Sequence, residues 1–308
     1  DFKLLKMNKY LISILGPTAI GKTKLAINLA ENYDTEIVSA DSRQFYKELN
    51  IGSAKPSNED LNKVKHHLIS NKSVKESYSI GDFEKDAINS ISKIHEKSNL
   101  AILVGGSGLY VDVINYGLDK IPKSDEKIRD FLNNEFKLKG LKHIQNQLKE
   151  KDLISFKNID LNNHRRIIRA LEVTISSGKP YSSYLKKKYT KRNFKIIEIG
   201  IRDERELIYK RINNRVDNMI NEGLVKEVID LNEYKDLNSL NTIGYKEIFN
   251  YLEGKSNLDY AINEIKKNTR RYAKRQMTWF NSNNNIIWFK INYKIEDIVK
   301  CINNLIGD

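Results

Sequence analysis

The sequence predicts an α/β fold, a parallel sheet flanked by helices and interrupted by a helical insertion. Three observations lead there. The apolar run from Tyr10 to Leu15 enters Gly16-Pro17-Thr18-Ala19-Ile20-Gly21-Lys22-Thr23, and a helical pattern follows from Lys24 to Ala30. Strand, glycine-rich loop and helix in that order make a phosphate cradle. Further apolar runs, 36–40, 100–104 and 194–201, alternate with helical stretches, as βαβ units do. Between about 121 and 193 strand signals fade, the chain reads as helical and highly charged, and Pro122 and Pro180 punctuate the ends.

Length leaves room for one large or two modest domains, since the chain has 308 residues. Lys plus Arg number 53 against 40 Asp plus Glu, a formal charge of +13. The surplus favours polyanionic partners, nucleic acid before an anionic membrane, although much of the lysine can simply solvate the surface. A single cysteine, Cys301, excludes an internal disulfide and a thiolate zinc cluster. It falls in the apolar pattern of the last helix, where a core role is expected. No apolar run reaches membrane-spanning length, so a cytoplasmic protein without a membrane partner is expected. Residues 1–6 precede Met7 and are read as a remnant or extension outside the fold.

In the loop, glycines let successive backbone N–H groups turn onto an anion, Lys22 adds a point charge, and Thr23 can ligate Mg²⁺, the expected cofactor. The 36–40 strand delivers Asp41 to the sheet edge where ligands of open α/β folds sit. Asp41-Ser42-Arg43-Gln44-Phe45-Tyr46 and Ile51-Gly52-Ser53-Ala54-Lys55-Pro56 make a polar, turn-rich segment. His66 and His67 lack acidic or cysteine partners at metal-ligand spacing, so packing or capping is expected of them. Residues 82–97 read as an amphipathic helix capped by Asp82. The 100–104 strand ends in Gly105-Gly106-Ser107-Gly108, where a P-loop ATPase would typically present an acid to Mg²⁺.

Within the insertion, Arg165-Arg166-Ile167-Ile168-Arg169 lies on a helix. Tyr181, Tyr184, Lys186, Lys187, Lys188, Tyr189, Lys191 and Arg192 then interleave aromatic and basic side chains, a pattern that suits single-stranded RNA or a solvated helix end. Asp203 and Glu206 stand at capping-box spacing for a helix stopped by Gly223. Asn241 to Glu247 opens a short helix. The longest helix, 257–280, carries Lys267, Arg270, Arg271, Lys274 and Arg275 on one face, a positive stripe that calls for an anionic partner. A strand at 286–291 and a helix at 295–306 close the chain.

The segments GPTAIGKT, DSRQFY, IGSAKP, HHL, GGSGLY, RRIIRALEV, TIGYKE and RRYAKRQMTW occur in this order from residue 16 to 279. With them the chain resembles the tRNA dimethylallyltransferases, also called tRNA isopentenyltransferases, of bacterial type. The resemblance implies a P-loop NTPase-like core over 7–120 and 194–308, with a helical tRNA-binding insertion at 121–193. It implies transfer of a dimethylallyl group from dimethylallyl diphosphate to N6 of the adenosine 3′-adjacent to the anticodon (position 37) of tRNA. The partner is then the anticodon stem-loop, and a monomer is expected.

Carried over by position, the loop from Gly16 to Thr23 matches the diphosphate site and Asp41 the general base. Ser42, Arg43 and Gln44 continue a tRNA-contacting segment. Ser107 stands where the family usually has Thr, keeping the hydroxyl on a smaller side chain. Arg129 and the stretch Arg165, Arg166, Ile167, Ile168 and Arg169 match tRNA contacts. Ser53 replaces a usual Thr, and Ser70 an Asp that commonly follows the histidines. The zinc finger of eukaryotic members has no counterpart in this sequence.

An exocyclic adenine amine is a weak nucleophile, whereas an allylic diphosphate leaves readily as charge spreads over the allyl unit. The implied chemistry therefore needs a diphosphate grip, for which Lys22 and the loop serve, and a carboxylate to take the amine proton, for which Asp41 serves. Ser107 is assigned to the adenine or a nearby phosphate. Arg270, Arg271, Lys274 and Arg275 supply backbone grip. Two rivals share the phosphate loop: a small-molecule kinase with Arg165, Arg166 and Arg169 as a lid, and an RNA-binding ATPase switch. The basic excess and the glycine strand end weigh against the first, and the missing strand-end acid against the second.

Overall fold

The structure, a computed structural model, describes residues 8–122, 125–185 and 190–307. Six strands form one parallel sheet: β1 (Tyr10–Leu15), β2 (Ile37–Ser39), β3 (His66–His67), β4 (Leu100–Val104), β5 (Lys195–Arg202) and β6 (Ile287–Lys290), in spatial order β3-β2-β4-β1-β5-β6. All six residues of β1 are buried, as a central parallel strand covered on both faces requires. The chain leaves β1 toward β2 on one side and returns to β5 on the other. A crevice therefore opens at the carboxyl ends of β1, β2 and β4.

The first helices are α1 (Lys22–Asn32), α2 (Asn58–Lys63), α3 (Ile80–Ile94) and α4 (Gly108–Tyr116). The cap of α3 is Ser79, not Asp82. Ser79 accepts from the Asp82 amide and Asp82 accepts from the Ser79 amide, so the expected cap is instead the third residue of a capping box. The histidines of β3 serve structure: His67 meets the Glu36 carboxylate at 2.5 Å, and His66 Nδ1 meets the Val64 carbonyl at 2.8 Å.

The described residues of 1–116 and 191–308 form one compact unit and those of 117–190 a second. Arg192 explains why the first unit resumes so early. Its guanidinium donates to the Ile114 and Val113 carbonyls and pairs with Glu84 at 2.6 Å, which removes it from the basic cluster interleaved with tyrosines. Lys186 to Tyr189 of that cluster lie outside the described residues.

The second unit contains α5 (Glu126–Lys151, broken at Gly140 with φ +78°), α6 (Leu153–Asn158) and α7 (His164–Ser177). Its core packs Leu132, Ile144 and Leu148 against Ile167, Ile168 and Leu171. Asp152 caps α6 through Ser155 and also accepts from the amide and hydroxyl of Ser182.

After β5 come α8 (Arg205–Asn221), α9 (Leu224–Asp230), α10 (Tyr245–Leu252), α11 (Leu258–Phe280) and α12 (Ile295–Ile306). Asp203 does not cap α8 by a box. Its carboxylate accepts from the amides of Glu204 and Ile291 and so ties the end of β5 to the end of β6. Asn257 caps α11, accepting from the Tyr260 amide. Cys301 is half-buried on α12, where Ile298 and Ile302 are the fully buried positions. Among the described residues no helix is long and apolar enough to cross a membrane.

Candidate functional site

The loop from Gly16 to Thr23 joins β1 to α1 at the sheet's carboxyl edge. Gly16 (φ +140°) lies so close to β5 that a side chain would strike the Ile201 carbonyl, and Gly21 (φ +105°) makes the left-handed turn into α1. Ile20 is buried in the core, so its contribution to the cradle is its backbone alone. Lys22 folds back over the loop and donates to the Pro17 carbonyl at 2.8 Å. Burial, then the charge of Arg215, pushes its ammonium down to about 7, against the opposing pull of Asp41.

Two neighbouring strands complete the crevice. A side chain at Gly105 would collide with the backbone of Ala40, so glycine lets the end of β4 close onto the end of β2, beside Asp41. The Asp41 carboxylate accepts from the Arg43 amide at 2.9 Å, which turns the chain into Ser42, Arg43 and Gln44. Gln44 braces the turn, accepting from Ser39 at 2.9 Å and donating to the Ala54 carbonyl at 3.1 Å. Arg43 donates to the Ser239 carbonyl at 2.9 Å, so its guanidinium is part of the scaffold.

Two cavities meet here. The larger, about 790 Å³, is lined by Thr18, Ala19, Gly21, Lys22, Thr23, Gly105 and Gly106, with Arg211 and Arg215 from α8. The smaller, about 320 Å³, has apolar walls from Ile212, Val216, Met219, Leu224, Ile243 and Ile265 and a rim that includes Ser42, Arg43, Asn241, Thr242 and Tyr272. Thr18, Asp41, Ser53, Ala54 and Arg215 line both. Burial lowers the pKa of Arg215, partly offset by Asp41. Ser107 stands at the start of α4, its hydroxyl 3.4 Å from the Tyr272 hydroxyl. The Thr23 hydroxyl is a hard oxygen ligand beside the cradle. A Mg²⁺ that takes its other ligands from phosphate and water fits such a ligand.

Four side chains of this site escape a reading by motif. Arg211 donates to the Ala19 carbonyl at 2.8 Å, and Arg215, one turn later, approaches the Thr18 hydroxyl at 3.4 Å. Their four-residue spacing on α8 is the signal that could have found them. Tyr272 and Gln276 stand inside the segment RRYAKRQMTW, but only the folded chain brings them to the glycine loops.

The expected basic residues divide. Arg271, Lys274 and Arg275 are exposed on α11. Arg270 leaves the stripe, because it donates to Asn213 of α8 at 2.7 Å and lies over the Tyr209 ring. Lys267 pairs with Glu264 at 2.8 Å. In the second unit Arg165 and Arg166 are exposed, whereas the Ile167 and Ile168 side chains are core and cannot reach a ligand. Arg129 and Arg169 both pair with Glu172, a carboxylate with no exposure, at 3.1 and 3.5 Å.

The profile of a family described as IPP transferase matches residues 44–283. A tRNA dimethylallyltransferase of Christiangramia forsetii is 49% identical over 98% of this chain and 100% of its own length. A crystal structure of the tRNA isopentenylpyrophosphate transferase of Bacillus halodurans superposes with TM-score 0.70 at 39% identity, covering 97% of this chain and 96% of that one. A eukaryotic dimethylallyltransferase acting on tRNA gives TM-score 0.83 at 26% identity over 97% of this chain and 80% of its own. With a phosphate loop, a strand-end carboxylate and these relatives along nearly its whole length, the chain belongs to the IPP transferase family, the tRNA dimethylallyltransferases.

Proposed function

We infer that this protein transfers a dimethylallyl group from dimethylallyl diphosphate to N6 of the adenosine 3′-adjacent to the tRNA anticodon. One observation carries the assignment of parts: Asp41, Thr18 and Arg215 line both the phosphate-loop cavity and the apolar cavity beside it. The larger cavity takes the diphosphate and the smaller the extruded adenine, so the reacting carbon sits where Asp41 faces both.

The backbone amides of the loop, Lys22, Arg211 and Arg215 surround the diphosphate and stabilise the charge that grows on it as the C1–O bond breaks. Such aimed charge contributes several kcal/mol, on the order of 3–4 per group removed. The Thr23 hydroxyl would hold a Mg²⁺, which when bound would supply Lewis-acid stabilisation of the departing diphosphate. The N6 lone pair forms the new N–C1 bond, and the Asp41 carboxylate accepts the N6 proton, which leaves neutral N6-dimethylallyladenosine and free diphosphate. Tyr272, with the Ser107 hydroxyl beside it, presents its ring and hydroxyl to the base.

A base inside a stacked anticodon loop cannot enter a pocket this narrow, so the adenosine must swing out. The backbone around it is gripped by Arg271, Lys274 and Arg275; the second unit separately offers exposed Arg165 and Arg166 to tRNA phosphates. These interactions are salt-sensitive and largely blind to sequence.

The test is to incubate the protein with unmodified tRNA and either ¹⁴C-labelled dimethylallyl diphosphate or γ-³²P-ATP. Label moves from the prenyl compound to tRNA, with negligible ATP turnover. Phosphoryl transfer or hydrolysis of ATP without prenylation would return the site to the kinase or ATPase class.

A further inference from the structure

Gln276 of α11 is 5% exposed, yet it lies against two loops that stand far from it in sequence. Its Oε1 accepts from the Thr18 amide at 2.9 Å, and its Nε2 donates to the Gly106 carbonyl at 2.7 Å. These partners fix the orientation of the amide, since turning it over would set N–H against N–H and oxygen against oxygen. A side chain at Gly106 would collide with Nε2, and Lys22 Nζ lies 3.4 Å from the same point, so glycine is what admits the close approach.

The same helix face also meets the strand-end turn on either side of Gln276. One turn earlier, Tyr272 reaches the Ser107 hydroxyl. Three residues later, the Trp279 ring fills the space a side chain at Gly108 would need, and its Nε1 donates to Asp112 at 2.9 Å. Residues 272, 276 and 279 thus form one ridge, while Arg271, Lys274 and Arg275 are exposed on the same helix.

We propose that Gln276 is a positioning residue that locks the phosphate loop to the Gly105–Ser107 turn. From α11, the helix that carries the exposed cations, it thereby fixes Lys22 and Ser107 relative to each other. Removing its amide orphans the Thr18 N–H and the Gly106 carbonyl together, and the loop can then relax away from the geometry in which the amides of residues 19–23 converge on an anion. The inference rests on reading this loop as the diphosphate site.

Gln276→Met keeps much of the volume and removes both hydrogen bonds. Gln276→Glu keeps the acceptor for Thr18 but sets a carboxylate oxygen against the Gly106 carbonyl. Calorimetric titration with inorganic diphosphate and Mg²⁺, without RNA, reads the loop; fluorescence anisotropy with an anticodon stem-loop RNA reads the helix surface. For Gln276→Met, diphosphate affinity falls by about tenfold and the KM for the prenyl diphosphate rises by a similar factor, while RNA affinity stays within about twofold. For Gln276→Glu the loss is larger, and this variant keeps the test decisive should the Met variant fail to fold. A folded variant with unchanged diphosphate affinity, or one that loses diphosphate and RNA affinity equally, would overturn the positioning role. Wild-type protein that binds diphosphate yet leaves tRNA unprenylated would instead refute the functional reading and leave the positioning role standing.

Discussion

Lys22 is half-buried beside Arg215, and lost hydration with the neighbouring guanidinium holds its pKa down to about 7. At pH 8 such a group is protonated in only about a tenth of the free molecules. A diphosphate brings several negative charges against it and restores the ammonium, so binding at pH 8 draws about 0.9 proton from solution, and at pH 6 only about 0.1. The sign follows from which state holds the proton. The complex is protonated at Lys22 and the free protein is not, so affinity falls as pH rises through 7. Relative to pH 6, affinity at pH 8 should be weaker by about tenfold, or about 1.4 kcal/mol. The assay is titration calorimetry with dimethylallyl diphosphate and Mg²⁺ in two buffers of different ionisation enthalpy, comparing wild type with Lys22→Met so that the ligand's own protons cancel. Equal proton uptake by the two proteins at pH 8 would show that Lys22 is already charged in the free state and would refute this reasoning.

Replacing Arg271, Lys274 and Arg275 together by glutamine should weaken binding of unmodified tRNA. It should also flatten the plot of log affinity against log salt concentration by about 0.7–0.9 for each phosphate that is no longer neutralised; an unchanged slope would show that this face does not meet RNA. A Cβ at Gly52 would lie 2.5 Å from the buried Tyr245 ring, so Gly52→Ala should destabilise the fold by about 1–3 kcal/mol in denaturant titration. Because Glu227 accepts from the Asn50, Ile51 and Gly52 amides and the Tyr245 hydroxyl, the same change should displace Ser53 and Ala54 and raise the KM for the prenyl diphosphate. A Gly52→Ala protein of wild-type stability and KM would contradict that packing.

What the sequence discloses about this molecule is what local spacing encodes. The phosphate loop is legible because one short stretch carries the strand, both glycines, Lys22 and the helix start. β1 and β4 are legible as apolar runs because both faces are buried; the one polar residue of β1, Ser13, is buried too and donates its hydroxyl to Asn115. The α3 cap is misplaced by three residues because Ser79 and Asp82 both have capping chemistry and Gly81 hides the first turn. Arg270 and Arg192 look like free cations in the sequence, but Asn213 and Glu84, which engage them, lie 57 and 108 residues away. Arg215 and Gln276 stay hidden for the same reason: their partners at Thr18 lie 197 and 258 residues away. In the stretch 165–169, a helix that points Arg165 and Arg166 outward must point Ile167 and Ile168 into the core.

The central claim, that the carboxylate at the junction of the two cavities takes the adenine proton, is tested most directly by single-turnover prenyl transfer with Asp41→Asn and saturating tRNA and dimethylallyl diphosphate. The rate of product formation should fall by about 10²–10⁴, with tRNA and diphosphate affinities within a few-fold of wild type. A near-normal single-turnover rate, with the defect confined to tRNA binding, would make Asp41 a recognition residue and contradict the account.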